Sequence, residues 1–362
     1  MPERSQILAI AIAVVMLFIS AIIFPQAASA WFLNSANAHV ARAVSLPHNA
    51  PNRLLVLTQA DAQAHQARQF ADLGRLPLAE ARAALARGEP QHAADALSNG
   101  STSLRADFMA QYIWAEAAWQ LRQPTVAFEH WRAAGASEYF LKQAYRAAEK
   151  DEWGEAADAA SIAIGIAPEL AEAHYVLGDA LSRQDVNDPE AQRSIERAAE
   201  LTRDNELLAT ILSRKAEILA SQGNLRDALD VFSQARRVAP IDARPRTGYA
   251  LALLQLRPDA REEATALLMQ VVGDSPWYIA AYVALAQIAE TRGDIKGAEE
   301  WLHKGLANNP NDARLLFPLG EFYARQGRIA DARATLTLAL KYETHADDRQ
   351  AIERALERLG TR

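Results

Sequence analysis

The chain has 362 residues, half of them hydrophobic and 23% charged, which is enough apolar surface to fold and too little charge for a disordered tail. Its net charge of −7 disfavours a nucleic-acid binder, which needs a basic stripe to displace counterions. With no cysteine, disulfides, thiolate metal sites, cysteine nucleophiles and a lipoprotein anchor are excluded.

Ile7–Phe24 is an uncharged run of eighteen residues, twelve of them Leu, Ile, Val or Phe. As a helix it would span about 27 Å, close to the roughly 30 Å hydrocarbon core of a bilayer. The run therefore reads as a single membrane-spanning anchor, with Trp31 and Phe32 at headgroup level. An alternative is a secretory signal peptide, because Ala28-Ser29-Ala30 has the small-x-small form of a cleavage site. Arg4 precedes the run and the next charge after it is Arg42, so the positive-inside rule puts the N-terminus in the cytosol and the rest of the chain across the membrane. Both readings export the remainder, to the cell envelope or, after cleavage, to the periplasm or exterior. Residues 1–30 are thus expected to be the anchor or signal.

Residues 31–73 read as a tether followed by a lead-in helix. Ser45 to Asn52 carries two prolines and polar turn formers, which break a helix. Leu54, Leu55, Leu57, Ala60, Ala64, Ala67 and Phe70 then fall near one helical face, predicting a helix from about Leu54 to about Leu73.

From residue 74 the chain repeats. Ala93, Ala127, Ala156, Ala191, Ala228, Ala264, Ala298 and Ala332 recur 29 to 37 residues apart. Four positions on, one helical turn later, stand Leu97, Trp131, Ile195, Phe232, Leu268, Leu302 and Leu336, with Ala160 taking the place once. Breakers mark the turns: Gly88, Gly223, Gly293 and Gly327, or Pro124, Pro189 and Pro258. Pro168, Pro240, Pro276 and Pro310 punctuate the links between repeats. A fixed period near 34 residues predicts stacked helix pairs. The spacing gives about eight over residues 74–346, with the firmest register over 137–346. An apolar stripe of Ile352, Leu356 and Leu359 predicts a capping helix over 347–362.

Leu319-Gly320 with Tyr323, Ala332 and Leu336 resembles the tetratricopeptide repeat, whose 34-residue pattern runs W-x2-L-G-x2-Y, then Ala, Phe and Pro. Leu177-Gly178 and the set Phe232, Ala235 and Pro240 resemble it in part. The resemblance implies an all-α fold, a right-handed superhelical solenoid of antiparallel helix pairs, here preceded by the single N-terminal transmembrane helix. It also implies a concave groove, lined by the first helix of each pair, that holds a protein or peptide partner. Carried over position by position, the groove residues are Tyr112, Glu116, Trp119, Tyr145, Tyr175, Asp179, Arg183, Glu217, Arg314, Glu321 and Arg325. The aromatic set around 112–183 is the preferred contact, since aromatics are enriched at binding hot spots.

Signatures of chemistry are missing. The eight histidines include no pair four residues apart, and H-E-x-x-H, G-x-S-x-G and the phosphate-binding G-x4-G-K do not occur. Glu262-Glu263 and Glu299-Glu300 are neighbours that splay apart on a helix. No metal, cofactor or catalytic residue is expected. The sequence reads as a membrane-anchored, non-catalytic scaffold for protein–protein assembly at the cell envelope. A cleaved, exported binding protein is the alternative, and a cryptic glycosyl hydrolase or transferase a remote one.

Overall fold

The computed structural model describes residues 26–46, 50, 53–70, 76–98, 104 and 107–360. Among these residues every regular element is helical. The apolar run Ile7–Phe24 lies outside them, and no described helix is long and apolar enough to cross a membrane.

Residues 26–44 (α1) are helical, where a tether was expected from residue 31. Ser29, Leu33, Ala36, Val40 and Ala43 form one buried stripe at helical spacing. Leu33 and Ala36 pack with Ala64 and Ala67 of α2 (Arg53–Phe70), Val40 with Ala60, and Ala43 with Val56 and Leu57. The two helices are therefore antiparallel and close. An Ala- and Asn-rich segment resembles a linker in composition. Yet Ala is the strongest helix former, and its small side chain suits a close helix contact. The lead-in helix ends at Phe70; residues 71–75 lie outside the described set.

Eight helix pairs follow among the described residues. They are α3 (Leu76–Arg87) with α4 (Pro90–Ser98), α5 (Phe108–Gln120) with α6 (Pro124–Ala133), and α7 (Ser137–Ala148) with α8 (Trp153–Ile166). Next come α9 (Ala171–Gln184) with α10 (Pro189–Leu201), α11 (Asn205–Ser221) with α12 (Leu225–Val238), and α13 (Ala243–Leu256) with α14 (Arg261–Asp274). The last two are α15 (Ile279–Thr291) with α16 (Ile295–Asn308) and α17 (Ala313–Arg325) with α18 (Ile329–Tyr342). The final helix, α19 (Ala346–Gly360), packs on α17 and α18. The chain divides into two compact units. One comprises residues 1–138 with 165–167, the other 139–164 with 168–362.

The repeated alanines explain the stacking. All eight are fully inaccessible to solvent, and the bulky residue one turn on is equally buried, from Leu268 and Leu336 to Leu97. A methyl group at the crossing lets two backbones approach, and the larger side chain fills the space that opens beside it. Where the approach is closest even a methyl is too large. A Cβ on Gly320 would stand 2.6 Å from Leu336 Cγ.

Six of the turns within pairs share one geometry. A residue with positive φ stands five positions before the buried alanine: Gly88, Arg122, Asp151, Gly223, Gly293 and Gly327. At each the chain closes with a bond back across the helix end, as where Arg328 N–H reaches the Tyr323 carbonyl (2.9 Å) and Gln123 N–H the Ala118 carbonyl (2.9 Å). By composition the break of the α5–α6 turn is expected at Pro124. The turn itself is made by Arg122 at φ 58°, and Pro124 opens the next helix. A left-handed conformation costs a side-chain-bearing residue about 1–2 kcal/mol. Arg122→Gly is therefore expected to stabilise the first unit by about 1 kcal/mol, read as a higher urea midpoint with unchanged slope. A lower midpoint would show that Arg122 makes a compensating contact.

Candidate binding site

The eleven expected groove residues fall in both units and are described unit by unit. In the first, Tyr112, Glu116 and Trp119 lie along α5. Tyr112 stacks on Phe108 with centroids 6.3 Å apart. Burial pushes the Glu116 carboxyl above the usual carboxylate range, partly offset by a hydrogen bond from Tyr112. Trp119 is 41% exposed, while its ring packs against Trp131 (5.5 Å) and Phe128 (5.9 Å). His130 stacks on Trp114 at 4.5 Å and meets Gln111 Oε1 at 2.6 Å, which makes it a packing residue.

In the second unit most of the expected charges are already engaged. Arg214 of α11 lies with Nε 2.5 Å from Asp179 Oδ1, too far off the N–H axis for a hydrogen bond. It also reaches Glu217 (3.3 Å) and donates to Ser182 Oγ (3.0 Å). Arg183 lies 3.5 Å from Asp179 and over the Trp153 ring. Arg325 of α17 donates two hydrogen bonds, of 3.0 and 2.9 Å, to Glu290 of α15. Arg358 of α19 reaches Glu321 of α17 at 3.4 Å. Arg183–Asp179 and Arg214–Glu217 lie within one helix. The other charge pairs, Arg214–Asp179, Arg325–Glu290 and Arg358–Glu321, rivet the first helix of one pair to the helix two elements on. Being largely solvated, a pair such as Arg325–Glu290 contributes no more than about 1 kcal/mol.

Tyr145, Tyr175, Arg244 and Arg314 all stand on the first helices of their pairs. Tyr145 and Tyr175 are neighbours on α7 and α9. Burial, with Glu172 and Tyr175 nearby, pushes the Tyr145 hydroxyl up to about 12. Tyr175 is hydrogen-bonded with Arg244, at the start of α13, which also lies 3.6 Å from Glu217. Arg314 occupies the same place at the start of α17, paired with the capping carboxylate of its own helix, Asp312 (2.7 Å).

Between these arginines is a cleft of about 690 Å³ on the first helices of three successive pairs. Leu251, Val283 and Pro318 form its apolar floor, Gln287 is its polar amide, and Arg244 and Arg314 flank it. Trp277 and Tyr278 enter from the link before α15, and Trp277 is 67% exposed. A cleft with an aromatic wall, an apolar floor and two guanidinium groups can hold an apolar side chain beside an anionic group.

Of the eleven expected residues Arg314 lines this cleft. So does Gln287, which the same register places on the first helix of its pair. Arg244, Trp277 and Tyr278 were missed, although a signal was available. Pro240-Ile241-Asp242-Ala243-Arg244 recurs two repeats later as Pro310-Asn311-Asp312-Ala313-Arg314. In both, the Asp side chain accepts the N–H of the Arg two residues on at 3.0 Å, which caps the helix and sets the arginine on its first turn. The link between holds Pro276-Trp277-Tyr278 at the equivalent position.

The fold is that of an α-helical repeat array. Residues 259–316 match the family model for the tetratricopeptide repeat, so that stretch carries repeats of that kind. Human IFIT1, solved as a dimer with PPP-AAAA, is similar at 16% identity over 85% of this chain and 77% of that chain, with a TM-score of 0.50. At that identity the likeness is one of fold. The Pseudomonas aeruginosa pilF structure aligns over 61% of this chain and 97% of that chain, at 14% identity and a TM-score of 0.43. PilW, a type IV pilus biogenesis factor, aligns over 60% and 98%, at 17% identity and a TM-score of 0.44. No curated protein sequence matches the chain.

Proposed function

We propose that the protein is a non-catalytic interaction scaffold that takes a segment of another polypeptide across the first helices of its second unit. The cleft between Arg244 and Arg314 carries this reading. The segment presents a large apolar side chain to Trp277, Leu251, Val283 and Pro318, and a carboxylate to the flanking guanidinium groups. The tetratricopeptide repeats at 259–316, which include Trp277, support it. Asp179, Glu217, Glu321 and Arg325 are each paired with a charge on another helix, which favours a fixed framework over a reactive centre.

Ile7–Phe24 is the proposed membrane anchor, with the N-terminus in the cytosol and the array on the far side. The burial of Ser29 on the α1 stripe favours retention, because cleavage after Ala30 would remove the first turn of that stripe. Intact mass of the native protein decides the point. A chain beginning at Trp31 would replace the anchored scaffold by an exported soluble one.

The cleft is tested with a random peptide library selected on the full-length protein in mild detergent. Enriched peptides should pair an acidic residue with a large apolar one. Trp277→Ala should weaken their binding at least about ten-fold, or roughly 1.4 kcal/mol, whereas Trp31→Ala should not. Peptides that bind the Trp277→Ala protein unchanged would overturn this placement.

A further inference from the structure

Within the second unit the turn joining α7 to α8 meets the loop joining α18 to α19, 196 residues away. The contact is made by His345. Its Nδ1 lies 3.1 Å from Glu343 Oε1, and its Nε2 lies 3.2 Å from the carbonyl oxygen of Glu149. Both partners are acceptors only. An acceptor on each side of an imidazole calls for an N–H on each side, which is the imidazolium form. A neutral ring carries one N–H. The ionised Glu343 carboxylate is the stronger acceptor and keeps it on Nδ1, so the bond given up is the one from Nε2 to the Glu149 carbonyl.

We propose that His345 is a clasp between the ends of the second unit, tying the α18–α19 loop to the α7–α8 turn while doubly protonated and releasing that turn when Nε2 loses its proton.

The surroundings fix the sign. Glu343 is buried and its Oε1 also accepts the N–H groups of Thr344 (2.8 Å) and His345 (2.9 Å), so the carboxylate is held in place whether or not the imidazole is charged. Burial pushes the Glu343 carboxyl up, but the bonds from His345 and Thr344 outweigh it and keep the group below the usual range. Arg349 caps the loop by donating to the Glu343 carbonyl (2.9 Å). Asp348 stands on α19 and lines the same cleft as His345. From the α7–α8 turn Asp151 adds negative charge, while Lys150 pairs with Glu152 at 4.0 Å. Arg183 of α9 and the Asp312–Arg314 pair complete the lining of this cleft of about 1000 Å³. The hydrogen bond to Glu343, with Asp151 and the Glu149 carbonyl, raises His345 above the ordinary histidine value of 6.5. A raised histidine stabilises the folded arrangement fully below 6.5 and loses that contribution as pH rises through its folded value. The clasp is thus closed in mild acid, where Glu343 remains ionised, and opens in mild base.

The natural chain has no cysteine, so spin labels can be attached at two introduced ones. Glu155→Cys on α8 and Glu353→Cys on α19 place labels at exposed positions on either side of the contact. Distances are measured by double electron–electron resonance on the full-length protein in detergent micelles, at about pH 5.5 and about pH 8.5, on either side of the histidine range. The clasp predicts a single narrow distribution in acid that broadens and lengthens in base. In His345→Ala the broad distribution should appear at both pH values. Identical distributions at the two pH values in the unsubstituted protein would overturn the proposal, whatever the variant does. So would nitrogen chemical shifts showing a neutral His345 ring at about pH 6.

Discussion

Phe232→Ala should cost about 3–5 kcal/mol, the largest stability loss expected from a single truncation in the second unit. Phe232 stands four residues after Ala228, in the bulky half of the repeated pair, and is 2% exposed. Its ring packs with Ala216 of α11 and Ala252 of α13, and Leu229, Val231 and Tyr249 close the edges. The ring also lies directly over Gly248, where an added Cβ would collide with it. One side chain therefore joins three helices from two successive pairs. The buried partners it meets on α11 and α13 are Ala216, Ala252 and Gly248, which cannot extend to fill the space it leaves, so the cavity stays largely open. A helical array contacts only its neighbours, so a loss at this interface should divide a single urea transition into two. A cost below about 1.5 kcal/mol would mean that α12 and α13 close over the gap.

Gly178→Val should destabilise by about 1–3 kcal/mol or more, and Gly178→Ala should also destabilise, against the helix preference. Within an ordinary helix, alanine is favoured over glycine by about 1 kcal/mol. At position 178 a Cβ would stand 2.7 Å from Ile195 Cγ1 and 2.9 Å from the Ala191 carbonyl oxygen. Ile195 is 1% exposed and packed with Ala198, Ile211 and Ile218, so it has no room to withdraw. The carbonyl belongs to the α10 backbone and moves only if the helix moves. Two substitutions separate these causes. Ile195→Val removes Cδ1, which would stand 2.9 Å from the added Cβ, and should recover part of the Gly178→Ala loss. The double-mutant cycle gives the coupling between α9 and α10. A stabilised Gly178→Ala protein would show that the two helices sit farther apart than 2.9 Å permits.

Both expectations grow from the same repeated pair of a small residue and a bulky one. That pair was legible because its spacing is local. Four residues make a helical turn in any context, and a period near 34 admits few folds besides stacked hairpins. The paired helices, their order and the buried alanines follow from residues within about forty positions of one another. Local geometry also hid some features. Arg122 and Asp151 adopt the left-handed conformation that Gly88 and Gly327 adopt at the same place, and neither residue type announces it. The helix over residues 26–44 was missed because its stripe is mostly alanine and serine, too weakly apolar to show until α2 covers it.

The chemistry of the surface was least legible. Asp179, Glu217, Glu321 and Arg325 sit on first helices, but whether such a charge is free depends on the residue opposite it on the next repeat. Register alone does not name that partner. Arg214 beside Asp179 and Glu290 beside Arg325 turn expected contacts into rivets. The same tertiary spacing left Trp277 exposed between Arg244 and Arg314 and brought His345 to the carbonyl of Glu149. The amino-acid order by itself determined a helical repeat array without cysteine chemistry, because helix periodicity and side-chain size act between near neighbours. Which charges cancel, which aromatic stays open and where two distant turns touch were decided only by stacking. Those outcomes depend on rotations accumulated across many pairs, and no short stretch of sequence contains them.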